Sequence, residues 1–386
     1  MPRAGGIIVV YLSCSYIPYE IPLAAGMPAT RGIFEGPLPT MEGYLPRDFC
    51  PYARAFIRQY GDKDMVAIAE SCDAMRRAYD VLSYWNLAGA VYFVDVPRTY
   101  DPEAVSFYAE ELKGFASKLS DSGTAPRDEF SERLTVAING MNQIRKELSC
   151  VFDLASKRQL SAVKATQLAI NVNQLLACFP SAEDPLDPLD PGPSHTHNLA
   201  PGMFDSLIEQ IERMIGQALS ESSPFSQDRD RISVGISGTC LLDLSLIECI
   251  ENAGLDVVFV DSCIPLRTYD FVVDSKTTCD PFYMLAEAYL RKAPCPRMFQ
   301  GKERIWRLYE LASDYGVRGL IYFAPKFCDQ AYYDFIEIRH GLRSLGRLPV
   351  LLLEGQYGMG RTGQVLTRVE AFREMLEGTQ ILKAGK

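Results

Sequence analysis

Two stretches of this chain share one plan. In the first, Met65-Val-Ala-Ile-Ala-Glu-Ser-Cys72-Asp73 runs into Ala-Met-Arg-Arg. In the second, Gly319-Leu-Ile-Tyr-Phe-Ala-Pro-Lys-Phe-Cys328-Asp329 runs into Gln-Ala-Tyr-Tyr. Each time a short apolar run ends, a Cys-Asp pair follows, and a helical stretch begins. A further apolar run closes each unit, at Ala90–Asp95 and at Pro349–Glu354. Strand, Cys-Asp, helix, strand is the sequence of a parallel crossover, so the chain is predicted to be α/β and internally duplicated. Each cysteine then sits at the carboxyl end of a strand, where α/β proteins place their chemistry. It also opens a helix, whose N-terminus favours a thiolate.

The remaining strand candidates are Ile7–Leu12, Ile232–Ile236 and Asp256–Val260. Two of them lead to cysteines in the same manner, Ile7–Leu12 to Cys14 and Ile232–Ile236 to Cys240. No strand pattern occurs between Asp101 and Glu221. There, Asp101–Leu119, Asp128–Phe152, Ser156–Cys178 and Met203–Leu219 have helical apolar spacing. At 386 residues, several domains are expected. The predicted division is a first α/β domain over 1–125, a helical middle over 126–228 with an acidic Pro-rich loop at 183–202, and a second α/β domain over 229–386. The sheets are expected to be parallel and Rossmann- or flavodoxin-like, with the site in the cleft between the two α/β domains.

A net charge of −10 argues against nucleic acid, whose phosphates demand a basic face. No apolar run approaches the roughly 18 residues of a membrane span. Ile7–Leu12 is short for a signal core and lacks a small-residue cleavage site after it, so it reads as a buried first strand.

Eleven cysteines in a chain this large read as reduced thiols, some of them ligands, in a cytoplasmic protein. Histidine is scarce, with only His195, His197 and His340. The first two fall in the acidic Pro-rich loop and the third in a helix, so a His-centred triad or His-ligated zinc is hard to build. Cys50, in Asp48-Phe-Cys50-Pro51, is a third cysteine at a helix start. Three such thiolates suit a thiolate-rich metal centre, either an iron–sulfur cluster or zinc. Cys150, Cys178 and Cys249 read as core residues on apolar helical faces. Cys263, Cys279 and Cys295 lie near turns, and Cys295, between two prolines, is the most suggestive of them. Gly358-Met-Gly360-Arg-Thr-Gly363 matches a dinucleotide fingerprint but opens no further strand–helix–strand unit. It reads instead as a glycine loop facing the cleft. In Ser13-Cys14-Ser15-Tyr16-Ile17-Pro18-Tyr19-Glu20, Ser15 can serve as a hydrogen-bond donor and Glu20 as a proton acceptor in a pocket wall.

Taken together, six phrases resemble the 2-hydroxyacyl-CoA dehydratase subunit family, which also contains benzoyl-CoA reductase subunits. They are Cys14-Ser-Tyr-Ile-Pro-Tyr-Glu20, Leu45-Pro-Arg-Asp-Phe-Cys50-Pro, Ser71-Cys-Asp-Ala-Met-Arg-Arg77, Pro294-Cys-Pro-Arg-Met298, Lys326-Phe-Cys-Asp329 and Gly363-Gln-Val-Leu-Thr-Arg-Val-Glu-Ala-Phe372. The resemblance implies a 4Fe–4S cluster held by Cys50, Cys72 and Cys328, with one iron open to substrate. It implies a related second subunit as heterodimer partner, an ATP-hydrolysing iron–sulfur activator, and oxygen sensitivity. The implied reaction is a hydro-lyase one: an electron delivered to the thioester of a 2-hydroxyacyl-CoA gives a ketyl radical anion, which expels the neighbouring hydroxyl group, and loss of the β-proton and return of the electron then yield an enoyl-CoA. Ser15 and Glu20 fall where the catalytic pocket is expected. Alternatives are a benzoyl-CoA-reductase-like acyl-CoA reductase subunit, a non-catalytic electron-relay partner, or a zinc-bound structural protein. The 22-residue step from Cys50 to Cys72 is short for the family, and the acidic Pro-rich loop reads as an insertion.

Overall fold

The computed structural model describes residues 8–31, 43–61, 63, 65–120, 129–179, 202–221, 231–241, 243–275 and 279–384. Nearly all of the acidic Pro-rich loop, with His195 and His197, lies outside them, as do Ile7 and the segments around 126 and 228.

Among the described residues, eight strands form two all-parallel sheets. β1 (Val10–Leu12), β2 (Ala29–Arg31), β3 (Met65–Ala69) and β4 (Ala90–Val94) lie in the order β2-β1-β3-β4. β5 (Ile232–Gly238), β6 (Leu255–Asp261), β7 (Gly319–Pro325) and β8 (Val350–Gly355) lie in the order β6-β5-β7-β8. Counted from its own first strand, each sheet is ordered 2-1-3-4, a flavodoxin-like arrangement repeated in one chain. The twin Cys-Asp units are the third strand of each sheet with the helix that follows, α3 (Asp73–Tyr84) and α12 (Asp329–Gly346). β2 has only three residues and carries Thr30 and Arg31, so no apolar run announces it.

Both sheets are covered on both faces, as parallel sheets require. One face of the first sheet packs on α2 (Pro51–Tyr60) and α3 around Phe56, Ile68 and Leu82. Its other face joins a large core with α1 (Glu20–Ala24) and α10 (Pro281–Arg291). The second sheet packs on one side against α8 (Ser245–Asn252) and α13 (Gly363–Ala384), and on the other against α11 (Gly301–Asp314) and α12.

The four middle helices are α4 (Pro102–Ser120), α5 (Phe130–Ser156), α6 (Ala162–Leu176) and α7 (Met203–Ser220). Among the described residues no strand interrupts them. Their apolar faces share the large core of the first sheet, and α6 touches both β2 and β6. Gly140 lets α7 settle onto α5, since a Cβ there would lie 2.2 Å from the Phe204 ring. Cys249 is buried, as expected, but Cys150 and Cys178 are exposed. Leu148 and Val151 take the inward positions of α5 beside Cys150. The glycine stretch at 358–363 forms a 3-10 turn leading into α13. The Gly358 amide donates to Asp243, and the Gly360 amide donates to Ser245 Oγ at 3.2 Å. The turn is thus satisfied from within the fold. Among the described residues no helix is long and apolar enough to cross a membrane.

Candidate metal centre

In a 2-1-3-4 sheet the strand order reverses between the first and third strands, and the crevice at their carboxyl ends is the preferred ligand position. Cys14 follows β1 and Cys72 follows β3. Cys240 follows β5 and Cys328 follows β7. Both reversals therefore carry two cysteines, and all four line one cavity of about 110 Å³. Three more cysteines reach it: Cys50 before α2, Cys263 after β6, and Cys295 in the loop between α10 and α11. Seven of the eleven cysteines thus converge, and among the described residues neither histidine nor carboxylate lines the cavity.

Local structure explains how each sulfur is aimed. Cys50, Cys72 and Cys328 are the residues preceding the first turns of α2, α3 and α12, and none makes a side-chain cap bond of the Ser or Asp kind. At the end of β5, Gly238 has φ +146°, and a Cβ there would meet the Phe323 carbonyl oxygen at 2.0 Å. That close approach of β5 to β7 sets Cys240 beside Cys328. The two Cys-Asp turns are tied across the cavity by Gln330 Nε2, which donates to the Ser71 carbonyl at 3.0 Å. The Tyr52 hydroxyl donates to the Ser13 carbonyl at 2.6 Å and holds the start of α2 against the loop after β1.

Burial is the main influence on the thiols. It pushes Cys50 and Cys263 up to about 11 and Cys328 to about 12, and it raises Cys72, Cys240 and Cys295 as well. At neutral pH these groups are protonated and weakly nucleophilic. A metal that displaces the protons reverses this, since a coordinated thiol is deprotonated outright.

The wall, through Arg31 and Arg297, and Lys292 behind it carry positive charge. Arg31 is buried; its Nη1 donates to Thr268 Oγ1 at 2.7 Å, while Nε and Nη2 have no partner. Arg297 is buried and spends its guanidinium on backbone carbonyls and the Met298 sulfur. Lys292 is buried with its ammonium 4.5 Å from the centre of the Tyr16 ring, and it donates to the Ser15 carbonyl. Burial lowers Lys292 to about 7, helped by nearby Arg31 and opposed by Cys14, Cys263 and Cys295. None of these three cations has a carboxylate partner among the described residues. Buried cations of this kind call for an anion. Seven thiols that ionise on metal binding would supply it.

No three His, Cys, Asp or Glu side chains among the described residues close on a single point, as one metal ion would require. The cavity is also several times the space one small ion or water needs. Soft sulfur donors, dispersed around a larger volume and facing cations, fit an iron–sulfur cluster better than a lone zinc.

A protein-family description, 2-hydroxyglutaryl-CoA dehydratase, D-component, matches residues 14–376. The chain belongs to this dehydratase subunit family. Among its relatives is the "Putative dehydratase subunit YjiM" of Escherichia coli (strain K12), 22% identical over 390 residues, covering 97% of this chain and 93% of that protein. Another is the (R)-phenyllactyl-CoA dehydratase beta subunit of Clostridium sporogenes. It is 27% identical over 170 residues, covering 44% of this chain and 43% of that protein.

In this dehydratase-family chain the three cysteines expected as ligands line one cavity together. Ser15 lines it too, buried and with no partner for its hydroxyl. Glu20 is not in the cavity wall. It opens α1 and is fully buried, accepting from Arg145 Nη2 at 2.6 Å and from the Tyr289 hydroxyl at 2.7 Å. His340 is exposed on α12. Sequence reasoning did not join Cys14, Cys240, Cys263 and Cys295 to the ligand candidates. A signal existed for two of them, because Cys14 and Cys240 each follow the first strand of a repeat. Cys263 had none beyond its position after an apolar run.

Proposed function

We propose that the chain is the iron–sulfur subunit of a 2-hydroxyacyl-CoA dehydratase, with Cys50, Cys72 and Cys328 holding a 4Fe–4S cluster that leaves one iron open. The observation that carries this reading is the convergence of three helix-starting thiols, two from one sheet and one from the other, on a cavity lined, among the described residues, by neither histidine nor carboxylate. When bound, such a cluster supplies one low-potential electron and a Lewis-acidic iron.

The chain's own groups then have defined tasks. The first-turn amides of α2, α3 and α12 favour the ionised sulfurs. The Ser15 hydroxyl, buried and without a partner, is the donor assigned to the acyl carbonyl. The partners in this reading are a related second subunit, an ATP-dependent iron–sulfur activator and an acyl-CoA.

One observation favours a second reading. Four further thiols share the cavity, and a cluster whose open iron they closed would relay electrons or serve a reductase. The test is anaerobic purification with the partner subunit and activator, followed by Mössbauer spectroscopy with and without 2-hydroxyacyl-CoA thioesters. The expected result is one iron site that shifts on adding thioester, with enoyl-CoA formed and electrons recycled. No shift, together with stoichiometric consumption of reductant, would favour relay or reduction.

A further inference from the structure

A second cavity lies apart from the candidate ligands, along the rim of the second sheet. β6 is the edge strand there, and α5 and α6 pack against it. β6 carries a bulge: Val257 pairs with Val234 and Phe259 with Gly235, so Val258 is an extra residue. Val258 and Phe259 consequently pack together toward α11 and α12, where a regular strand would send neighbours to opposite faces. Gly235 makes room for this, since a Cβ there would lie 2.1 Å from the Phe259 ring. Between the bulged edge, α5 and α6 remains a cavity of about 300 Å³. Small-molecule sites span ~300–1,000 Å³, and the space far exceeds that of one water.

The wall has a definite chemistry. Phe152, Val258 and Leu266 supply apolar surface. At the inner end Thr166 is 1% exposed, and its hydroxyl has no partner. A buried hydroxyl left unmatched costs free energy that a hydrogen bond from a ligand recovers. At the exposed rim stand the carboxylates of Asp153 and Asp270. Each is paired through Oδ2, Asp153 with Lys157 at 2.6 Å and Asp270 with Arg307 at 2.5 Å. Such partly exposed pairs are weak, and they leave Oδ1 of each carboxylate to accept from a further donor. Among the described residues no lysine, arginine or histidine lines the cavity. An anion would therefore meet two carboxylates and no cation in the wall, whereas an ammonium would be matched.

We propose that this cavity binds a small organic amine, with its ammonium at Asp153 and Asp270, its apolar body against Phe152, Val258 and Leu266, and a hydroxyl at its far end on Thr166. The site is distinct from the candidate metal centre, although one segment walls both. Cys263 and Ile264 line the metal cavity, and Pro265 and Leu266 line the amine cavity. The inference needs neither the cluster nor the dehydratase reaction.

The test is isothermal titration calorimetry of the full chain with three probes of similar size: tyramine, phenethylamine, which lacks the hydroxyl, and 4-hydroxyphenylacetate, which replaces the ammonium by a carboxylate. Tyramine is expected to bind saturably, phenethylamine about fivefold more weakly, and the carboxylate probe not at all. Thr166→Val should bring the two amines level by weakening tyramine alone. Asp270→Asn should weaken both amines about threefold. Binding of 4-hydroxyphenylacetate as tight as that of tyramine, or amine binding that neither variant alters, would overturn the proposal. So would the absence of saturable binding by any probe, which would leave a cavity filled by water alone. Should either variant fail to fold, the ranking of the three probes on the unmodified chain decides: tyramine first and the carboxylate probe last supports the amine site, and any other order refutes it.

Discussion

Cys50, Cys72 and Cys328 face the cavity from the starts of helices, whereas Cys263 and Cys295 face it from loops among guanidiniums. The first arrangement is local. Amide dipoles act within one turn, so the helix that positions the sulfur also favours its charge. The second is built at a distance. Arg267 is held by Asp261, and Arg304 bridges Asp261 at 3.0 Å and Asp334 at 2.9 Å, with the Tyr322 hydroxyl donating to Asp334 at 2.5 Å. Burial alone would push Asp261 up; Arg267 and Arg304 overcome that and hold it well below the usual carboxylate range. A full charge acts further than a dipole, but it must be fixed by a buried network of its own. One half of the cavity therefore depends on secondary structure and the other on tertiary pairing.

The sharpest way to break this contrast is to remove a helix-start sulfur. Cys72→Ser or Cys328→Ser is expected to abolish the proposed cluster, while Cys178→Ser, exposed just past the end of α6, keeps full iron. Equal iron content in all three variants would refute the ligand assignment. A smaller effect is expected from Arg31→Gln, which removes one buried charge from the cavity wall. Potentiometric titration should show reduction of the proposed cluster shifted negative by roughly 50 mV, about 1 kcal/mol for one electron. An unmoved potential would show that the charges among the loops do not act on the centre held at the helix starts.

The smallest effect belongs to Glu251, which does not line the cavity. Burial raises Glu251 from 4.5 to about 7, an effect partly offset by the Ala162 amide, which donates to it at 3.1 Å. The folded chain thus binds a proton that the unfolded chain has released. This contribution is full below pH 4.5 and is lost as pH rises through 7. Glu251→Gln should remove about 2 kcal/mol of that pH dependence, read as a flatter melting temperature between pH 5 and 7, without altering iron content. An unchanged slope would show that another group titrates there.

Much of the fold was legible because the duplicated unit is written in local terms. An apolar run, a Cys-Asp pair and helix formers fix a strand, its exit and the next helix without reference to the rest of the chain. The convergence of Cys50, Cys72 and Cys328 was legible only through motif and resemblance, since nothing in their spacing states that two strand reversals face one cavity. Arg31 shows the limit more clearly. It closes a three-residue strand, and its environment is set by Thr268, 237 positions away in sequence, and by the Tyr19 ring. Glu20 shows the opposite failure. Its phrase suggested a pocket acid, but α1 turns it into the first sheet's large core, where Arg145 sits buried 2.6 Å away. Sequence proximity to Ser15 did not decide which way the side chain points.

The three proposed ligands come from both sheets, and this bears on the lifetime of the protein in a cell. Whatever free energy a cluster gains from Cys50, Cys72 and Cys328 is added to the cohesion between the two halves of the chain. Iron scarcity or oxygen would then lower abundance as well as activity, because halves released from a common centre open more often and meet proteases sooner. The amount of this protein should follow the iron supply even where its transcript does not.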